Sequence, residues 1–419
     1  MNHNSWRIRV LAIVAFTFML GHVASAQYAE TVLYEFGSIA NDGNGPISSL
    51  IFDASGNLYG NTANGGGGGL GFGTVFELSP SSGGTWTESI LYAFAGGSDG
   101  DRPSGAVALD ASGNVYGVTE LGGANNYGIV YKLTHGSSGW TETILHSFAG
   151  GSDGAYPLYR VVFDASGNLY GTTQGGGNPE CNGGCGVIFK LSPTASGWTE
   201  SVIYSFTGLA DGSRPASLIF DASGNLFGAA IGGGNLTSCS NGCGTIFRLT
   251  PVVGGWRFGR LYAFQNAGGA NPVSITLDPA GNIYGVTENG GIACSCGVAF
   301  KLTKPAVGGL WRESILHAFT GKYDGYLPLG IAIDSSGNLF GNTPSGSTHG
   351  YGTIFKIAFV STGWSFATIH SFTGASDGGS INGAPTPDSS GNIFAPSVFG
   401  GFNTFGLILE LSPSAGNSK

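Results

Sequence analysis

Carboxylates at regular intervals are the first feature of this chain with chemical potential. Asp42, Asp99, Asp153, Asp211, Asp324 and Asp377 each precede a glycine, in NDGNGP, SDGDRP, SDGAYP, ADGSRP, YDGYLP and SDGG. Ringed around one face, they could bind cations or sugar hydroxyls. Calcium takes about six to eight oxygens, several from carboxylates. One Asp per loop is a thin supply, and no D-x-D-x-D-G loop supplements it. Calcium is the one cofactor these residues could recruit, and none is otherwise expected. The competing reading is structural: Asp-Gly makes tight turns and the later Pro fixes the next strand. The equivalent stretch NAGGANP (266–272) keeps the Pro without the Asp.

Glu120 and Glu288 follow "GVT" in two equivalent segments, where other copies carry Ala63, Gln174, Ile231, Pro344 and Val398. Acid–base work needs two such groups close together. His146, His317 and His370 occupy a position filled by Tyr34, Tyr92, Tyr204 and Tyr262 elsewhere, which reads as packing with a polar tip. His135 and His349 are single loop residues, and no Ser–His–Asp order or His-x-Glu motif raises any of the five. Cys181, Cys185, Cys239, Cys243, Cys294 and Cys296 fall in three loops, CNGGC, CSNGC and CSC. One local disulfide per loop is the simplest pairing, and bonds between neighbouring units are the alternative. A metal site lacks C-x-x-C and a nearby His. Such small rings constrain the unfolded chain little, so each stabilises modestly. Phe72, Tyr127, Tyr351, Phe402 and Phe405 lie in the same class of loop and could stack on sugars.

The elements that must position these residues are written seven times. DASGNLYG (53–60) returns in variants beginning at Asp110, Asp164, Asp221, Asp278, Asp334 and Asp388. A fixed period of about this length marks a solenoid, a propeller or an array. Residues 104–148 show one unit: AVALD, NVYGVTE, GIVYKLT and WTETILHSF are short, rich in β-branched and aromatic residues, and bounded by Gly, Ser or Asn. The Asp of D-A-S-G-N caps backbone N–H groups two residues on, and its Gly supplies a positive φ. The Tyr or Phe that follows is expected in the core. Four antiparallel strands per unit predict an all-β, seven-bladed propeller. The fourth strand appears six times in order, as in WTESILYAF (86–94), and its seventh copy is YAETVLYEF (28–36) at the N-terminus. That strand should complete the last blade, closing the ring and covering its edges. An open solenoid would instead show polar capping repeats.

Residues 1–26 read as a signal peptide: Arg7 and Arg9, an apolar run over 10–21, then Ala24-Ser25-Ala26. The propeller then spans 27–413 and a short tail 414–419. The run is short for a transmembrane span of about 20 residues. The expected location is secreted or periplasmic, without membrane insertion after cleavage, as a monomer. The net charge is −9 with 10% charged residues, which argues against nucleic acid and anionic membranes. The 77 glycines recur with the repeat, so they read as turns rather than disorder.

The pattern D-A-S-G-N-L-Y-G-T-T-x-x-G-G, followed by G-x-I/V-F-K-L, resembles the GloVer tandem repeat of exported bacterial proteins over 28–413. The resemblance implies signal peptides and various C-terminal anchors, but no established activity. This chain departs from it by ending SPSAGNSK without an anchor. The phrase D-x-x-G-N-L-Y is also similar to NHL-type propellers, some of which are lyases or lactonases. The expectation is a non-catalytic recognition or scaffold module for a glycan or an extracellular protein at the loop face. The alternative is a lyase or a hydrolase such as a lactonase, acting in the central channel. Inner strands such as SLIFD and AVALD predict a channel lined by small or apolar residues, with Arg160 the exception.

Overall fold

The computed structural model describes residues 28–67, 71–292, 294–306, 309–401 and 403–414. The signal segment 1–26, Phe402 and all but the first residue of the tail lie outside them. Seven antiparallel sheets follow one another, each running from an inner strand to an outer one. The second blade has strands Asp101–Leu109, Val115–Leu121, Ile129–Gly136 and Gly139–Ser147. The inner strand of the first blade is split into Gly43–Pro46 and Ile51–Phe52, both paired with Leu58–Gly65. The last blade contains Thr386–Pro387, Ile393–Ser397 and Leu407–Pro413, and Tyr28–Glu35 pairs antiparallel with Leu407–Pro413 as its outer strand. The N-terminal strand thus closes the ring, as the order of copies predicts.

The repeated phrase folds as its chemistry dictates. In the second blade, Asp110 Oδ1 accepts the N–H groups of Ser112 (2.9 Å) and Asn114 (3.0 Å). Its Oδ2 accepts Asn114 Nδ2 (2.7 Å) and the Tyr116 hydroxyl (3.0 Å). Burial alone would raise the Asp110 pKa, but these donors hold it below the usual carboxylate value. The Tyr or Phe after the turn is buried in all seven units.

Blades join through aromatic residues. Each outer strand ends in a buried Phe, and six of the seven meet a ring on the third strand of the next blade: Phe36 with Phe76, Phe94 with Tyr131, Phe148 with Phe189, and so on at centroid separations of 5.0–5.2 Å. The third-strand ring lies over a glycine of the second strand. A Cβ on Gly171 would collide with Phe189, and one on Gly117 with Tyr131. The seventh blade changes both partners together: Ala395 replaces the glycine and Leu409 the aromatic.

Candidate functional site

The Asp-Gly loops connect each outer strand to the next inner strand. Their carboxylates are engaged by the protein itself. Asp99 accepts the Ala95 N–H (2.6 Å) and the Tyr92 hydroxyl (2.6 Å). Asp42 accepts from Gly37 N–H and Tyr34, Asp211 from Thr207 N–H and Tyr204, and Asp324 from Thr320 N–H and His317. Asp153 meets Ala149 N–H and His146, and Asp377 meets Thr373 N–H. The sequence reading keeps the Tyr/His position and the loop Asp apart. The structure joins them at the ends of outer strands in five junctions, while Tyr262 has no such Asp and bonds Glu313 instead, and His370 lies 3.6 Å from Asp377.

At all seven junctions the backbone enters the inner strand through a left-handed residue. Gly45, Arg102, Tyr156, Arg214, Asn271, Leu327 and Ser380 have φ between 52° and 68°. Six of the seven are not glycine, and each such residue costs about 1–2 kcal/mol. Their N–H groups donate to one equivalent carbonyl in the preceding blade, on Phe405, Phe72, Tyr127, Cys185, Cys243, Cys296 and Tyr351 respectively, at 2.7–3.0 Å. The backbone is therefore constant around the ring while the seven positions carry six different residue types. The spacing before Pro carried this signal, but sequence alone does not reveal the positive φ.

As acceptors of these bonds, the loop aromatics and the second cysteine of each clip share one slot. Phe72 lies against Gly96 and Tyr127 against Gly150, while Tyr351 and Phe405 cover Gly374 and Gly37. In the third and fifth blades, cysteine sulfurs contact Gly208 and Gly321 there instead. The three disulfides are the local ones, Cys181–Cys185, Cys239–Cys243 and Cys294–Cys296. Ring and disulfide are alternative covers for the end of the outer strand. One ring face is spent on glycine, which bears on the stacking role expected of these aromatics, although Phe72, Tyr351 and Phe405 remain partly exposed.

Inside the ring of left-handed residues opens the central channel, a cavity of about 490 Å³. Leu50, Ala106, Leu158, Leu218, Val273 and Ile331 line it with Ser48, Ser274 and Asn382. Arg160 is the one charged residue of this lining. It is open to water yet surrounded by protein, and that burial lowers its pKa. No carboxylate of the lining neutralises it.

Glu120 and Glu288 stand in the second and fifth blades, and each answers to an arginine rather than to the other. Arg102 Nη1 lies 3.7 Å from Glu120 Oε2. Burial raises the Glu288 pKa, and the charge of Arg214 partly opposes this. Tyr159, in the channel lining, is held above its ordinary pKa by burial, then by Glu288, with Arg214 opposing. Residues from the third, fourth and fifth blades thus share one electrostatic neighbourhood. Gln174 Nε2 donates to the Pro215 carbonyl and Asn271 Nδ2 to the Ile231 carbonyl, which knits the rim from blade to blade.

The model of the Gloeobacter/Verrucomicrobia repeat matches residues 18–178 and 138–310, two overlapping stretches. No curated protein matches the chain. Among solved structures, an extracellular domain from B. thetaiotaomicron (BT4673) superposes with a TM-score of 0.55 at 11% identity, over 91% of this chain and 39% of its own. PorZ, a surface component of the type-IX secretion system of Porphyromonas gingivalis, gives 0.51 at 13%, over 91% and 48%. A protein from Bacteroides uniformis, provisionally named a 6-phosphogluconolactonase, gives 0.52 at 15%, over 77% and 84%. The chain spans about two fifths of the length of the first of these. At such identities the likeness concerns the fold alone.

Proposed function

This chain belongs to the Gloeobacter/Verrucomicrobia repeat family, and from that premise we propose that it is a non-catalytic recognition module that binds an anionic oligosaccharide at the channel mouth. The observation that carries the reading is the ring of left-handed residues. Strain is retained at six of the seven junctions, while the residue types are Gly, Arg, Tyr, Arg, Asn, Leu and Ser. A strained backbone that presents differing side chains suits recognition better than packing, since strain of this kind gathers at functional sites. The anionic class follows from Arg102 and Arg214 on the ring and the unneutralised Arg160 below it. Arginine offers planar, bidentate donors to carboxylates. Disulfides in three loops support an extracytoplasmic setting.

The test is binding of the full chain to uronate-rich and neutral polysaccharides by calorimetry. Saturable binding to the acidic class, weakened about tenfold or more in Arg160→Ala and Arg214→Ala, supports the reading. Equal binding to neutral glycans, or variants that bind as wild type, sinks it. One observation favours a second reading, an enzyme: Glu288 is a raised-pKa carboxyl beside Tyr159. Fragment release from the bound polysaccharide that Glu288→Gln abolishes would decide for it.

A further inference from the structure

The seven junctions are built alike, and one of them differs in a way the recognition reading does not use. At each junction, the Tyr or His of one outer strand is faced from the next blade by a residue two after its Trp or Tyr. That residue is Glu30, Glu88, Glu142, Glu200, Phe258, Glu313 or Phe366. Three junctions carry His. His146 Nε2 is bonded to Asp153 at 3.1 Å. His317 Nε2 is bonded to Asp324 at 2.9 Å, and the Phe366 ring stacks on its imidazole at 3.6 Å, so no second carboxylate reaches it. His370 behaves otherwise. Its Nε2 lies 3.5 Å from Glu30 Oε2 and 3.6 Å from Asp377 Oδ2, too long for hydrogen bonds. That nitrogen is buried and has no hydrogen-bond partner.

We propose that Glu30, His370 and Asp377 form a zinc-class divalent metal site that fastens the N-terminal strand to the sixth blade. Among the described residues, they are the one set of three potential ligands whose atoms all lie within 4.8 Å of one another. A tetrahedron with bonds of about 2.0–2.2 Å has edges of about 3.3–3.6 Å, which matches the two measured separations. One imidazole nitrogen with two carboxylate oxygens suits zinc, cobalt or nickel, whereas calcium prefers oxygen alone. Asp377 is oriented by Thr373, whose N–H donates to Oδ2 (2.9 Å) and whose hydroxyl donates to Oδ1. Such outer contacts set the direction of a ligand. Glu30 sits on the solvent side and leaves a way in for the ion and for water at the fourth position. Glu30 comes from the strand that closes the ring and the other two from the neighbouring blade, so the metal would act as a latch.

The full chain, prepared without a polyhistidine tag, is dialysed against micromolar zinc and its metal content measured. One equivalent of zinc is expected, with a melting temperature a few degrees above that of the chelator-treated protein. Cobalt in place of zinc should give visible absorption of the tetrahedral kind. His370→Tyr installs the residue that four other junctions already carry there, so it should fold. It should lose the zinc, the thermal shift and the cobalt spectrum, while His146→Tyr keeps all three. Zinc retained by His370→Tyr, a shift equal in both proteins, or a wild type that binds no zinc at micromolar concentration would overturn the proposal, leaving an ion pair only.

Discussion

At the scale of single residues, the constant feature is a backbone angle and the variable one a side chain. Arg102 at φ 57° is exposed, and its guanidinium pairs with Glu120 at 3.7 Å. The first blade already uses Gly45 at this place. Arg102→Gly is therefore expected to relieve strain and raise stability by about 1 kcal/mol, while weakening binding of an acidic glycan. Denaturant unfolding and calorimetry on the same variant check both signs. A loss of stability would mean that the left-handed turn is not strained. The repeated Asp turn was legible in the sequence, because every unit must carry its own donors and acceptors within eight residues. The tie between Tyr92 and Asp99 was not. It needs the knowledge that an outer-strand tip and the following loop fold against each other.

At the scale of elements, the chain repeats a coupled choice that one blade makes differently. Gly171 sits under Phe189 with no room for a Cβ, whereas Ala395 sits with Leu409. Gly171→Ala should overpack the sheet and destabilise it by about 1–3 kcal/mol. Adding Phe189→Leu, which imports the seventh-blade pair, should recover more than half of that loss relative to the Phe189→Leu single variant. Strict additivity of the two changes in a double-mutant cycle would refute the coupling. Strand order and closure were readable from the sequence because hydrophobic alternation and turn residues recur with each copy. The equivalence of Phe72 with Cys185 was hidden. Their loops differ in length and composition, and only the shared hydrogen bond from the next blade aligns them.

At the scale of the whole molecule, the junctions carry acid pairs that make the closed ring sensitive to pH. Burial pushes Glu88 up to about 8, with the charge of Asp42 adding to the effect. Glu142 is likewise raised to about 8, by burial and then Asp99, and Glu200 to about 7, by burial and then Asp153. Burial raises Glu313 to about 7, against an opposing hydrogen bond from Tyr262. A carboxyl raised in the folded state is protonated in both states below its unfolded value, and the stability is then fully present. Above it, folding must keep a proton that the unfolded chain releases, so stability falls as pH rises toward the folded pKa. The melting temperature should therefore drop between about pH 4.5 and 8. Glu88→Gln with Glu142→Gln should flatten that slope. A profile rising through this window would contradict the placement of these side chains. On the acid side, Asp53, Asp110, Asp164 and Asp278 are held low, so the stability they lend is present above their usual value and fades as pH falls below it.

The pairing of Tyr28–Glu35 with Leu407–Pro413 also has a consequence in time. A ribosome makes the outer strand of the last blade first and its partner last. At about 5–20 residues per second, the leading strand waits on the order of tens of seconds for the segment that receives it. No earlier segment has a vacancy for it, because every other blade brings its own outer strand. Closure thus waits for the segment 407–413 to be made: a polypeptide stalled or cut before residue 407 carries a leading strand with nowhere to dock.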